Sequence, residues 1–536
     1  MINELKATLK RENNYQMTEN GAVGYKSTGS ALTDLNFRVT SMRNGITADD
    51  MYLFCEAMNE DLEYAIKWLF FARDVRGGMG ERDVFQRFYM QYAELYPNEA
   101  KATLKLVAEF GRWKDVIDII NIDQDNNLGG LELVSETFHS DIQNCMAGKS
   151  ISLLAKWMPS INASGKARQQ AKRFVKHFGL TYEGYRKMLS KLRAYLDVTE
   201  VKTCANRWDE IDYNKVSSNA NKRYMNAFKK HDGERYMEHC TKALDVTSND
   251  VKMHASVLFP HEIWEKYTQL PGLSYDDCYY IDYYANSPYK FGYDMVEPAP
   301  ADISLEAMWK NLADMGDCGN TMVVVDGSGS MTTACGYSVR PINIARSLGV
   351  YFAERCQGEF NNILMEFSSR PKLIDLNGCE TLRDKVMELS KYTDCSNTDI
   401  EAVFMLILQS AINANMKQSD LPDRILIVSD MEFDRATSQT RCVYGMKSLF
   451  NELANRFAKY GYKLPKLVFW NVNSRTKTIP MTENEMGVVL VSGFSPNIMS
   501  MVMSDQTDPW LALKEKLDSN RYDCVSDTLK SVREND

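Results

Sequence analysis

The sequence predicts a multidomain protein: an α-helical repeat domain in the N-terminal half, followed by an α/β domain of doubly wound type. Three observations predict it. At 536 residues the chain is too long for one ordinary hydrophobic core. Residues 30 to 270 carry helical spacing interrupted by short breaks. From about Asn320 the pattern changes to apolar runs of strand length alternating with helices, which a parallel sheet covered by helices requires.

The helical half justifies itself element by element. Asp61 to Asp74 places Ala65, Trp68, Leu69 and Ala72 on one face. Arg76-Gly77-Gly78-Met79-Gly80 breaks the pattern, and Glu81 to Leu95 resumes it through Val84, Phe85, Phe88 and Tyr92. Pro97 punctuates, a helix is expected over Glu99–Glu109, and Gly111 separates it from Trp113–Ile120. Helix, break, helix without a strict period describes a degenerate HEAT-like array. Its extent is set at residues 1–275. Residues 276–318 are read as a tyrosine- and proline-rich connector, part of a stretch that carries Tyr275, Tyr279, Tyr280, Tyr283, Tyr284, Tyr289 and Tyr293; packing, more than base stacking, accounts for such tyrosines.

Residues 319–536 form the Rossmann-like part. Strands are expected at Thr321–Val325, Asn362–Phe367, Arg424–Ser429, Lys466–Asn471 and Gly487–Val491. Helices are expected at Ile342–Arg355, Leu382–Leu389, Ile400–Ala414 and Cys442–Lys459.

Composition removes several function classes. No run of eighteen apolar residues exists, so no membrane span is expected, and the charged stretch from Met1 to Lys26 has no signal-peptide core. The twelve cysteines show no Cys-x-x-Cys pair or zinc spacing, which fits reduced thiols in the cytoplasm. All six histidines fall between His139 and His261, which excludes histidine acid–base chemistry in the α/β half. Gly148-Lys149-Ser150 is not a phosphate-binding loop, because Gln143 stands where that motif needs glycine.

The chemistry concentrates at Met322-Val323-Val324-Val325-Asp326-Gly327-Ser328-Gly329-Ser330-Met331. An apolar strand ends in a carboxylate, and two hydroxyls follow at alternate positions. Asp430 closes the strand Ile425–Ser429, and ligands of such sheets gather at the carboxyl ends of strands. Thr398 precedes a long apolar helix, where a hydroxyl either caps the helix or faces a metal. Asp326, Ser328, Ser330, Thr398 and Asp430 make an oxygen-only shell suited to Mg²⁺ or Mn²⁺. Asp399 and Glu432 are the nearby carboxylates that could act as a base in phosphoryl hydrolysis, a role the reading sets aside; the protein is read as a non-enzyme.

Asp-x-Ser-x-Ser, a later threonine and a strand-closing aspartate resemble the metal-ion-dependent adhesion site of von Willebrand factor A domains, over roughly Asn320 to Asp536. Thr18-Glu19-Asn20-Gly21-Ala22, the tract Arg73 to Arg82, Gly111-Arg112-Trp113 and Cys204-Ala205-Asn206-Arg207-Trp208-Asp209 resemble a large uncharacterised family. That family joins a helical domain to a von Willebrand A domain marked by Ser429-Asp430-Met431-Glu432-Phe433-Asp434. Its architecture is similar to that of the Ro ribonucleoprotein autoantigens, whose helical TROVE ring binds small structured RNAs and misfolded RNA ends. The resemblance implies an RNA partner at the helical domain and an acidic protein ligand at the metal.

The overall charge of −9 hides a basic segment. Residues 151–230 hold 17 Lys and Arg against 6 Asp and Glu, enough for a phosphate-binding surface. Arg168, Lys172 and Lys176 repeat every four residues on one helix, with Arg173 beside them; Arg186, Lys187, Lys191 and Arg193 follow on the next. A solvated helical face accounts for the pattern equally well. The expectation is a Ro-like RNA-binding scaffold with a Mg²⁺-dependent partner site; the alternative is a protein–protein adaptor with no RNA role. Arg73, Arg76, Arg82 and Arg112, at glycine breaks beside acids, are read first as structural.

Overall fold

The computed structural model describes all residues except 1–5, 7, 8, 11, 248–249, 271–297, 333–338, 369, 393–396, 436–447 and 535–536. The tyrosine cluster Tyr275 to Tyr293 lies outside the described residues. A helical N-terminal part and a parallel-rich sheet in the C-terminal part are both present.

The described residues form two compact units. One unit combines residues 1–60 with 240–517, and the other combines 61–239 with 518–536. The helix Asp523–Arg533, at the end of the sequence, packs in the helical unit. Within that unit, Arg521 donates to both oxygens of Asp74, the Tyr522 hydroxyl donates to Asp74 at 3.2 Å, and the Tyr522 ring stacks on Phe110. Asp74 carries no exposed surface, so its charge needs such partners wherever in the sequence they lie.

In the first unit, a short hairpin pairs β1 (Tyr15–Met17) with β2 (Val23–Tyr25). The main sheet holds β3 (Thr321–Asp326), β4 (Ile363–Phe367), β5 (Lys372–Asp375), β6 (Arg424–Ser429), β7 (Lys466–Asn471) and β8 (Val488–Ser492), in the order β5-β4-β3-β6-β7-β8. All neighbours are parallel except β4 and β5. Five of these strands match the sequence reading within a residue or two. β5 escapes it because four residues, Lys-Leu-Ile-Asp, are too few to show a period.

Both faces of the sheet are dry along β3, β4, β6, β7 and β8, and only the edge strand β5 is exposed. One face puts Val324, Ile425, Ile427 and Phe469 in a core with Phe404 and Phe450 from the helices Ile400–Asn413 and Leu449–Lys459. The other receives the helix Pro341–Ala353, where a Cβ at Gly349 would stand 2.5 Å from Val325. That close approach is why the central helix carries a glycine. A parallel sheet packed on both sides leaves its carboxyl edge as the place for side chains to converge.

The second unit packs helices Leu62–Arg73, Arg82–Leu95, Trp113–Ile122, Gly130–Met146, Gly165–His177 and Tyr182–Tyr195 in series. The helix expected over Glu99–Glu109 is broken into Pro97–Thr103, a 3₁₀ turn at Leu104–Leu106 and Val107–Phe110. The Thr103 hydroxyl donates to the Glu99 carbonyl at 2.9 Å, and the Tyr89 hydroxyl to that of Ala100 at 2.6 Å. Side chains competing for helix carbonyls tighten the turn.

Candidate metal centre

Asp326 ends β3 fully buried. The chain then turns through Gly327, whose amide donates to the Phe367 carbonyl at 2.8 Å. A Cβ there would stand 2.6 Å from the Glu366 carboxylate, which the buried Arg346 holds in place through two hydrogen bonds at 3.0 and 3.1 Å. The turn returns the Ser328 amide to Asp326 Oδ1 at 2.9 Å, while the Ser429 hydroxyl donates to Oδ2 at 2.5 Å. The Ser328 and Ser330 hydroxyls lie 3.1 Å apart. Asp430, 1 % exposed, sits one residue beyond β6, the neighbour of β3.

These carboxyls feel one another. Burial pushes Asp326 up to about 6, with serine hydrogen bonds opposing and the Glu366 charge adding. Burial, then the charge of Asp326, push Asp430 up to about 7, against Ser330 and Arg475. Two desolvated acids repel, and the Arg475 guanidinium stands 3.6 Å from Asp430. Such a pair fits a small divalent cation, which supplies the missing counter-charge without a proton. Among the described residues no group of three or more His, Cys, Asp or Glu is arranged for a metal, so a cation here depends on hydroxyls as well as acids.

Thr398 reaches the same rim by another route. Helix capping falls to its neighbour: the Asp399 carboxylate accepts from the Ala402 amide at 3.0 Å. The buried Thr398 hydroxyl instead accepts from Asn20 Nδ2 at 3.2 Å, and its carbonyl accepts from the Asp434 amide at 2.9 Å. Asn20 also donates to the Glu432 carbonyl at 2.6 Å. Asp326, Ser328, Ser330 and Asp430 are thus joined by hydrogen bonds and charge, and Thr398 is tied to the segment that follows Asp430.

The two carboxylates considered as bases are both engaged. Asp399 caps its helix. Glu432, without exposed surface, accepts from the amides of Glu19, Arg475 and Thr476 at 2.8 Å each, and from the Thr476 hydroxyl. Glu432 pins the hairpin turn Thr18–Ala22 to the rim. Sequence reading singled out that tract as a family mark but did not place it here. Nothing local signals the contact, because more than 370 residues separate Asn20 from Thr398.

The basic helices divide their cations between two tasks. Arg168, Lys172, Lys176, Arg186 and Lys191 are exposed, and no ion pair is formed by any of them among the described residues. Lys187 pairs with Glu183 at 2.8 Å, both largely exposed. Arg173 instead donates to the carbonyls of Ile120, Asp123 and Gln124 at the end of the helix Trp113–Ile122. Arg193 donates to the carbonyls of Ala155 and Met158 and to the Ser160 hydroxyl. Those two guanidiniums hold the helical unit together. At the glycine breaks, Arg73 pairs with the buried Asp115, and Arg76 donates to the Glu109 carbonyl, as the structural reading expects.

Comparison with known proteins adds two family models. One, described as a domain of unknown function (DUF2828), matches residues 18–141 and 163–314, a little more than half of the chain. Another, also a domain of unknown function (DUF7788), matches residues 320–530. An uncharacterized protein of Acanthamoeba polyphaga mimivirus, L728, is 29% identical over 524 residues, covering 92% of this chain and 85% of that protein. The crystal structure of the Deinococcus radiodurans Ro (RSR) protein aligns with 90% of this chain and 95% of its own, at 11% identity and a TM-score of 0.33, too loose a likeness to carry an argument.

Proposed function

The chain belongs to the DUF2828 family of unknown function, and we propose that it is a non-enzymatic scaffold with two binding surfaces. The α/β unit binds Mg²⁺ or Mn²⁺ at the rim of its sheet, and the helical unit binds RNA along its exposed cations. The observation that carries this reading is the buried, mutually repelling pair Asp326 and Asp430 beside the Ser328 and Ser330 hydroxyls. Asp326, Ser328, Ser330, Thr398 and Asp430 would hold the cation. Bound there, it supplies a positive centre for an acidic group on a protein partner. The chain's own residues do the rest: Ser429 and the Ser328 amide orient Asp326, while Asn20 and Asp434 hold Thr398.

RNA is favoured by the five exposed cations on consecutive helices, and by the resemblance of the sequence to Ro-type architecture. Phosphate contacts by such residues position a strand without reading its sequence. No described helix is long and apolar enough to cross a membrane. A cytoplasmic location is part of the proposal.

Two measurements test it. Isothermal titration of the metal-stripped protein with MnCl₂ should show one saturable site that Asp326→Asn abolishes; absence of binding at millimolar Mn²⁺ overturns the cation site. Affinity for a single-stranded RNA should fall steeply between 50 and 200 mM salt, on the order of a few hundred-fold if six phosphates are contacted. A protein that purifies without nucleic acid and binds no RNA at low salt is the pure protein adaptor.

A further inference from the structure

The rim of the acid pair is built from fixed points that present two opposite charges. The backbone amides of Glu19 and Arg475 both end on the Glu432 carboxylate, at 2.8 Å each. Their side chains extend from those anchors and meet: Arg475 Nη2 lies 2.7 Å from Glu19 Oε2. The same Nη2 lies 3.6 Å from Asp430 Oδ2. Arg475 therefore stands between two carboxylates, one of them buried at the candidate cation site and one on the hairpin turn. The two side chains are 36 % and 54 % exposed, so both can swing without disturbing the core.

A guanidinium at this distance competes directly with a divalent cation. It neutralises part of the Asp430 charge, and it repels any second positive centre that approaches the same oxygens. Glu19 opposes it, by holding the guanidinium 2.7 Å from its own carboxylate and 3.6 Å from the buried acid. We propose that Arg475 is an electrostatic gate on the cation site and that Glu19 is the latch that keeps the gate ajar. This inference rests on the reading of Asp326 and Asp430 as cation ligands.

The proposal fixes the sign of two substitutions that leave the backbone anchors on Glu432 in place. Arg475→Gln removes the competitor, so the site binds a cation more tightly. Glu19→Gln releases Arg475 onto Asp430, so the site binds a cation more weakly. Because Glu19 acts only through Arg475, the double variant behaves as Arg475→Gln alone. General damage to the rim weakens binding in every case and cannot produce opposite signs.

The test is titration of the full-length, metal-stripped protein with MnCl₂ at low ionic strength, following free Mn²⁺ by electron paramagnetic resonance. The expected result is an affinity raised about threefold to tenfold in Arg475→Gln and lowered about threefold in Glu19→Gln, the range for charges at a partly exposed site. Thermal unfolding of each variant accompanies the titration, and the affinity changes are expected without matching changes in stability. If the wild type binds Mn²⁺ but Arg475→Gln binds no more tightly, the gate is overturned and the cation site stands. The gate is equally overturned if the double variant keeps the loss of Glu19→Gln. If the wild type binds no Mn²⁺, the cation site itself fails and the gate with it.

Discussion

The acid pair at the sheet edge and the cation ridge on the helices treat charge in opposite ways. Asp326 and Asp430 are at most 1 % exposed, and the Ser328 amide and the Ser429 hydroxyl are committed to Asp326. Arg168, Lys172 and Lys176 face solvent, with no ion pair among the described residues. Buried charge is expensive, so the fold arranges partners around it and its removal is felt as stability. Exposed charge is screened within about 10 Å at ordinary salt, so its removal is felt only when a ligand is present. The contrast separates residues that build a site from residues that wait for one.

The largest effect should come from Glu432, on the building side. Glu432→Ala removes the acceptor for three backbone amides and a hydroxyl. Each partly buried donor left unpaired costs about 1 kcal/mol, so a loss of about 3 kcal/mol is expected in urea denaturation. If stability falls by less than about 1 kcal/mol, the hairpin is not held by this carboxylate. Metal comes next. At a Mg²⁺ concentration one hundred times Kd, linkage stabilises the protein by about 2.7 kcal/mol. Asp430→Asn should unfold no earlier than wild type without metal, because the repulsion is gone, and should lose the Mg²⁺ response. A metal response that survives Asp430→Asn moves the cation away from this edge.

How much of this was legible depends on whether the determinant is local. The five long strands and the Asp326 turn were readable, because β-branched runs and a Gly-Ser turn act over a few residues. The convergence of Asp430 on Asp326 followed from one rule about parallel sheets. The hairpin was not readable: β1 and β2 are three residues each, and what places them is a buried glutamate more than four hundred residues away. The packing of the C-terminal helix was unreadable for the same reason, since Asp74 and Arg521 reveal their pairing only in space. Composition also concealed that Arg173 and Arg193 differ from the lysines beside them. A helix pattern shows which face a cation occupies, not whether a neighbouring helix ends within its reach.

The basic helices allow that last difference to be tested within one turn. Arg173→Ala strips partners from three carbonyls at the end of the helix Trp113–Ile122 and should cost about 1–2 kcal/mol of stability. Lys172→Ala and Lys176→Ala should leave the unfolding curve within about 0.5 kcal/mol. RNA binding should respond in the reverse order, with the slope of log affinity against log salt falling by about 0.7 per lysine removed for a single strand. If Arg173→Ala reduces the salt slope while leaving stability intact, the division between the two kinds of cation is wrong.

The smallest effect sharpens the comparison inside the α/β unit, where another buried acid meets the opposite fate. Asp50, 1 % exposed, sits in the first turn of the helix Ala48–Glu60. Burial alone would raise its pKa, yet it lies below the ordinary value of 3.8: Lys477 donates at 2.6 Å, the Thr47 amide and hydroxyl donate as well, and the lysine charge adds to both. A carboxyl with a lowered folded pKa stabilises the protein above its unfolded value, and the contribution is lost as pH falls through the folded one. Acidification below about pH 4 should therefore erode the stability of the wild type more than that of Asp50→Asn. At neutral pH, Asp50→Asn should cost about 1 kcal/mol, since the amide keeps an oxygen for Thr47 but loses the pairing with Lys477. Asp326 and Asp430, equally buried, have their pKa values pushed up by burial first and by neighbouring carboxylates second, with no lysine donating to them as Lys477 does to Asp50. Lys477→Met should turn Asp50 into an acid of that second kind, shifting its titration from below 3.8 to above it, a change that carbon-detected NMR of the carboxyl reads directly.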